Sequence, residues 1–244
     1  MTSISNLLVK AGRWFFLRER GGIRRSIRGN GNTFHAQKVA LSNVELDIIG
    51  DDNQIMIGKD CVLTNVNFRL RGSGHRIRIG ENCRISRGAL LWFEDQNGLL
   101  QVGSNTTMVE VHIAVTEQDS KVIIGEDCML ANDIDIRTGD SHSVIDLSTG
   151  ERLNHPGNIN ISRHVWIAPH AIILKGVTIG ENSIIATGAV VTKSFGSGVI
   201  IGGNPAKIIK AGVSWSRSRT GTAPSRSRTG TATKSKRNSR SHSS

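Results

Sequence analysis

IMIGKDCVL (55–63), IRIGENCRI (77–85), LQVGSNTTM (100–108), VIIGEDCML (122–130), INISRHVWI (159–167) and VTIGENSII (177–185) are six versions of one nine-residue pattern. Each runs apolar, any, apolar, Gly, polar, Asp or Asn, small, any, apolar, with Ser162 in place of one glycine. The marker residues Gly58, Gly80, Gly103 and Gly125 are spaced by 22, 23 and 22; Ser162 follows 37 later and Gly180 another 18 on. A period near twenty residues is the signature of a stacked solenoid, because a unit this small cannot bury its apolar face alone and must cover it with the next copy. Each unit reads as a few short strands joined by tight turns. Glycine stands at the corner because the turn needs a positive φ or because another backbone passes close by.

The same alignment accounts for the cysteines. Cys61, Cys83 and Cys128 all lie three residues after a marker, where other repeats carry Thr106, Val165 and Ser183. A shared repeat position points to a vertical stack of small inward side chains, since a free thiol packs as a small hydrophobe. Their odd number, with no secretory signal, argues for reduced thiols rather than a disulfide framework.

The composition fits a thin core. Of 244 residues 37% are hydrophobic, but only 4% are aromatic, with six Phe, four Trp and no Tyr, beside 27 Gly. No apolar run reaches 18 residues, so the expected location is cytoplasmic. The net charge of +11 suggests nucleic acid until it is divided along the chain. Residues 1–28 contribute +6 and residues 214–244 contribute +8, which leaves the body between them slightly acidic. No specific nucleic-acid partner is therefore expected for the folded part.

Three segments follow. Residues 1–28, with Leu7, Leu8, Trp14, Phe15 and Leu17 among arginines, read as a short basic amphipathic helix that either touches the inner face of an anionic membrane or packs on the fold. Residues 29–212 hold the repeats. Residues 213–244, with SRSRTGTAP followed by SRSRTGTAT, read as a disordered basic tail. Within the body, the 37-residue interval exceeds one coil by some fifteen residues, and the polar stretch 139–157 is expected to loop out. Loops on a rigid scaffold are where binding and catalysis concentrate.

The repeated hexads, and above all HVWIAPHAIILKGVTIGENSIIATGAVVTKSFGSGVIIGGNPAKIIK (164–210), resemble the hexapeptide-repeat acyltransferases over residues 45–210. Within them the likeness is to surface-polysaccharide O-acetyltransferases and galactoside and maltose acetyltransferases. The resemblance implies an all-β solenoid, a left-handed parallel β-helix assembled as a homotrimer with active sites between subunits. It implies acetyl transfer from acetyl-coenzyme A to a sugar hydroxyl, with no metal required. His142 matches the family's general base, whose ordinary pKa suits proton transfer near neutrality. Asp140 is the nearest carboxylate to orient it, with Glu110, Asp133 and Asp135 as rivals. The cofactor positions carried over are Ala168, Pro169, Thr187, Thr192, Lys193, Lys207 and Lys210, with Lys207 and Lys210 matching the family's basic residues near the phosphates. Pro169 has no N–H to donate, which departs from the family's pattern. Glu110, His112, Asn154, His155 and Trp166 are expected around the acceptor. Alternatives from the sequence are an amine acceptor, a zinc-dependent carbonic anhydrase on the same fold, and a scaffold or RNA-binding protein led by the tail.

Overall fold

The computed structural model describes residues 22–219, and the expected N-terminal helix lies outside them. The described chain is all strand and turn: 22 strands wind into a parallel β-helix of triangular section. One face stacks Arg84–Ser86, Thr107–Val109, Met129–Leu130, Trp166–Ile167, Ile184–Ile185 and Val199–Gly202. A second stacks Ile23–Arg28, the distal halves of Ala40–Ile49 and Val62–Arg71, then Ala89–Phe93, Val111–Val115, Ile134–Arg137, Ile172–Ile173 and Val190–Val191. The third runs from Thr33–Ala36 through Gln54–Ile57, Arg76–Ile79, Leu99–Val102, Lys121–Ile124 and Ile159–Ile161 to Thr178–Ile179. Every pairing between successive coils is parallel and in register, for example Ile55↔Ile77 and Ile113↔Ile136. Only the closing strand Lys207–Ala211 runs antiparallel, against Val199–Gly202.

In-register stacking places like on like. Leu46, Phe68, Leu91, Ile113, Ile136 and Ile173 form one buried column, and the core is a narrow aliphatic stack with Phe68 and Phe93 as its large fully buried aromatics. Cys61, Cys83, Thr106, Cys128, Val165 and Ser183 form another, all within 1% of full burial. Its members tie coils together: the Cys61 thiol donates to the Gly80 carbonyl, the Thr106 hydroxyl to that of Gly125, and the Cys128 thiol to that of Ser162.

The marker glycines serve close approach, not positive φ. None of Gly58, Gly80, Gly103, Gly125 and Gly180 has a left-handed backbone. A Cβ on Gly103 would lie 2.3 Å from the nitrogen of Glu126 on the next coil. The left-handed residue is the Asp or Asn two positions later: Asp60, Asn82, Asn105, Asp127 and Asn182, with His164 taking that place in the Ser162 repeat. Short side chains that bond locally tolerate this conformation best.

Two boundaries move. Residues 23–28, grouped in the sequence with the basic N-terminal segment, belong to the first coil, since Ile23–Arg28 pairs with Val44–Ile49. The chain does not leave the prism at Gly212: the Val213 amide bonds Gly198, and Trp215 is buried against the first face.

Candidate active site

The expected loop replaces the corner between the second and third faces. The chain leaves at Thr138 and returns at Gly157, whose amide donates to the Thr138 carbonyl at 2.9 Å. Thr138 is fully buried, and its hydroxyl bonds both the amide and the carbonyl of Thr116 on the preceding coil. The loop is an ordered hairpin rather than a slack excursion. Ile145 bridges Arg152 antiparallel, the Leu153 amide donates to Val144, and Asp146 caps the turn through the amides of Ser148 and Thr149. Arg152 grips Glu117 with two hydrogen bonds of 2.6 and 2.7 Å, fastening the loop to the coil below.

His142 sits exposed on this loop, and its carbonyl accepts a bond from Asn154. No side chain among the described residues hydrogen-bonds its ring. The expected orienting role of Asp140 is not realised within the chain, because its carboxylate is taken by Lys175 and by the Asn154 amide. The Lys175 ammonium beside it lowers the Asp140 pKa, helped by Asn154. Asn154 is also spent internally: its amide donates to Asp140 and His142, and its oxygen accepts from Val144 and Arg152. It shapes the loop and has little left for an acceptor. His155 is exposed at the loop's end. Lys175, which in sequence reads as a solvated corner residue, is instead paired with the Asp140 carboxylate, because the fold brings it under the loop.

Below the loop, the second face carries His112. Its ring stacks on Trp92 at 5.7 Å and 17°, its Nδ1 lies 3.8 Å from Asp135, and Arg69 stands over Trp92 at 5.8 Å. Burial would raise the Asp135 pKa, but His112 and Arg137 beside it outweigh that and hold the carboxyl down at about 2. Among the described residues, the buried polar atoms without a hydrogen-bond partner include Asn67 Oδ1, Trp92 Nε1 and His112 Nε2 on this face. Trp92 and Arg69 were not expected here; the alternation in VNFRL (66–70) and ALLWF (89–93) was the signal that turns both outward. Glu110 and Asp133, by contrast, are exposed left-handed corner residues, and Asp133 pairs with His170.

The remaining residues gather on the first face and at the top of the prism. Trp166 points outward between Met129 and Ile184. The Ala168 amide is used by Ile185, and Pro169 accepts from Gly188, so neither has a backbone N–H to offer a ligand. Thr187 and Thr192 are exposed at turns; Lys193 is exposed with its ammonium 5.8 Å from the Phe195 ring; Lys207 and Lys210 stand exposed on the closing strand. In one chain the loop corner and the Trp166 face lie on opposite sides of the triangle, so His142 and Trp166 are not brought together. Among the described residues no group of three or more His, Cys, Asp or Glu is placed to hold a metal, and no helix is long and apolar enough to cross a membrane.

Comparison with known proteins agrees with this architecture. Residues 158–193 match the family described as "Bacterial transferase hexapeptide (six repeats)". The chain is 35% identical over 152 residues to a polysialic acid O-acetyltransferase of Neisseria meningitidis, covering 62% of this chain and 69% of that protein. Among solved structures, a polysialic acid O-acetyltransferase superposes with a TM-score of 0.75 at 34% identity, over 80% of this chain and 92% of the other. A polysialic-acid-specific acetyltransferase superposes with a TM-score of 0.77 at 28% identity, over 85% and 88%. With its repeat matching the family's pattern and its parallel prism superposing on these relatives, the chain belongs to the hexapeptide-repeat acyltransferases.

Proposed function

We propose that this protein transfers acetyl from acetyl-coenzyme A to a hydroxyl of a sugar in a cell-surface polysaccharide or its precursor. The observation that carries the reading is the anchored loop that presents an unencumbered His142 at one corner of a rigid prism. Trp166 on the first face, with Lys207 and Lys210 on the closing strand joined to that face, lies away from this corner, whereas Lys193 stands at the loop's own corner, between Val190–Val191 and Phe195. A single copy cannot bring these two sets together, which supports a homotrimer in which the loop of one subunit faces the Trp166 face of the next. The amphipathic N-terminal residues and the use of acetyl-coenzyme A fit work in the cytoplasm at the inner face of a membrane.

The chemistry is a direct transfer. His142 removes the acceptor hydroxyl proton as the oxygen attacks the thioester carbonyl. Backbone N–H groups hold the oxyanion, the C–S bond then breaks, and the imidazolium returns its proton to the departing thiolate. Asp140 acts on this step indirectly, since with Lys175 and Asn154 it fixes the loop that carries His142. Lys193, Lys207 and Lys210 are exposed cations suited to the donor's phosphates. Trp92, His112 and Arg69 form a mixed aromatic and cationic surface below the loop, with unfilled polar atoms that suit a sugar acceptor.

The test is release of coenzyme A from acetyl-coenzyme A across acidic and neutral oligosaccharides, comparing wild type with His142→Ala. Acceptor-dependent release that falls by about a thousandfold in the variant is the expected result. Release unchanged by the substitution removes His142 from the mechanism, and release with amine acceptors alone replaces O-transfer by N-transfer.

A further inference from the structure

The chain beyond the closing strand is a strap, and its aromatic residue abuts the candidate site. From Val213, bonded to Gly198, the segment runs back along the prism and reaches Asn105, Thr107, Asp127 and Cys128 through Arg217. Coils stack at about 4.8 Å, so this short segment spans about 14 Å of the prism. Trp215 is 7% exposed and stacks on His164 at 4.3 Å and 8°, while its indole N–H donates to the His164 carbonyl at 2.8 Å. The His164 ring faces two acceptors, Asp127 Oδ2 at 2.7 Å and the Trp215 carbonyl at 3.1 Å. Arg217 closes the arrangement, with one bond to Asp127 and its guanidinium 5.5 Å over the Trp215 ring.

On the site side, Trp215 meets Trp166 at 6.2 Å with a 49° tilt. An outward tryptophan on a flat parallel face has strand neighbours only above and below, here Ile184 and Met129. Trp215 stands beside it, off that column. We infer that Trp215 is a positioning residue: the strap 213–219 fixes the Trp166 ring in the orientation acetyl transfer requires. The inference rests on the placement of Trp166 in the site proposed above. It assigns a role to the first few residues of a segment whose composition reads as inert.

Two arms test it in the full-length protein. In the first, Trp215→Ala and a chain ended after Gly212 are expected to lower kcat by about ten- to a hundredfold, the scale at which small misplacement of a reacting group costs rate. Trp215→Phe is expected to restore most of it, and a chain ended after Arg219 to match wild type. In the second, Trp14→Phe and Trp92→Phe are combined with either Trp215→Phe or Trp215→Ala, leaving Trp166 as the sole tryptophan. Acrylamide quenching of Trp166 is expected to be stronger with Ala than with Phe. Equal quenching overturns the inference whether or not the wild-type protein transfers acetyl. Wild-type kcat in a folded chain ended after Gly212 overturns it too. A wild type inactive on every acceptor defeats the proposed function instead, and that outcome is recognised separately.

Discussion

Replacing Gly103 by alanine tests the idea that the repeat glycines exist for coil contact. The new Cβ would lie 2.3 Å from Glu126 N, 2.5 Å from Gly125 C and 2.6 Å from Glu126 Cα, all backbone atoms of the next coil. Carbon contacts are comfortable near 3.5 Å, so that coil must recede by about 1 Å. It is held where it is by the bond from the Gly103 amide to Ile124 at 2.8 Å and by the pairing of Leu99–Val102 with Lys121–Ile124. Overpacking against such a neighbour costs about 3 kcal/mol, the upper end of the usual range. For a chain of this size that lowers Tm by about 6–12 °C. Gly188→Ala is the control. Gly188 has φ +68°, and a methyl placed on it would meet nothing within 4 Å. It therefore reports only the left-handed backbone penalty of about 1 kcal/mol, or about 2–4 °C. Circular-dichroism melts at matched protein concentration measure both. A Gly103→Ala protein melting within about 2 °C of wild type, or a larger loss from Gly188→Ala, would refute the reasoning.

Two further outcomes follow from the loop and the second face. Glu117→Gln removes the carboxylate that Arg152 grips, and is expected to speed tryptic cleavage after Arg152 while slowing acetyl transfer, with the melting temperature of the prism nearly unchanged; uniform loss of all three would mean that the loop is not separately anchored. Asp135 titrates at about 2 in the folded chain, below its ordinary 3.8, so the ionised group stabilises the fold above pH 4 and that contribution disappears as the pH falls through 2. At 27% side-chain exposure the contribution is about 1–2 kcal/mol after solvent screening. Asp135→Asn should flatten the stability profile between pH 4 and 2 in urea titrations, and an unchanged slope would contradict the assignment.

The period of the marker residues was enough to read the solenoid, its thin aliphatic core and its thiol column, because in-register stacking turns sequence recurrence directly into contact. What recurrence did not reveal was the division of labour within each turn. Glycine and the following Asp or Asn are both turn formers, and only backbone angles separate the residue that yields space from the one that takes φ near +60°. Glu110 and Asp133, named as carboxylates on neighbouring coils, likewise prove to sit at left-handed corners, which no local spacing signalled. The loop was legible as surplus length, and His142, expected there as a general base, stands exposed on it. Its internal wiring was not, because Lys175 and Glu117 each meet a partner 35 positions away, a pairing that no local spacing encodes.

His142 and Trp166 make the point from the other side. Twenty-four residues separate them, close to the length of one coil. The loop consumes most of that interval, and the order of faces then carries Trp166 past the third face to the side of the prism opposite the loop corner. Adding copies of the chain around an axis is the economical way to bring the two kinds of residue into one cleft. Strict repetition therefore specifies the scaffold, while in the proposed mechanism the chemistry comes from departures from it: the inserted loop carries His142, and the chain past the last coil carries Trp215. A substitution that respects the period is expected to act on stability, and one in either departure on rate.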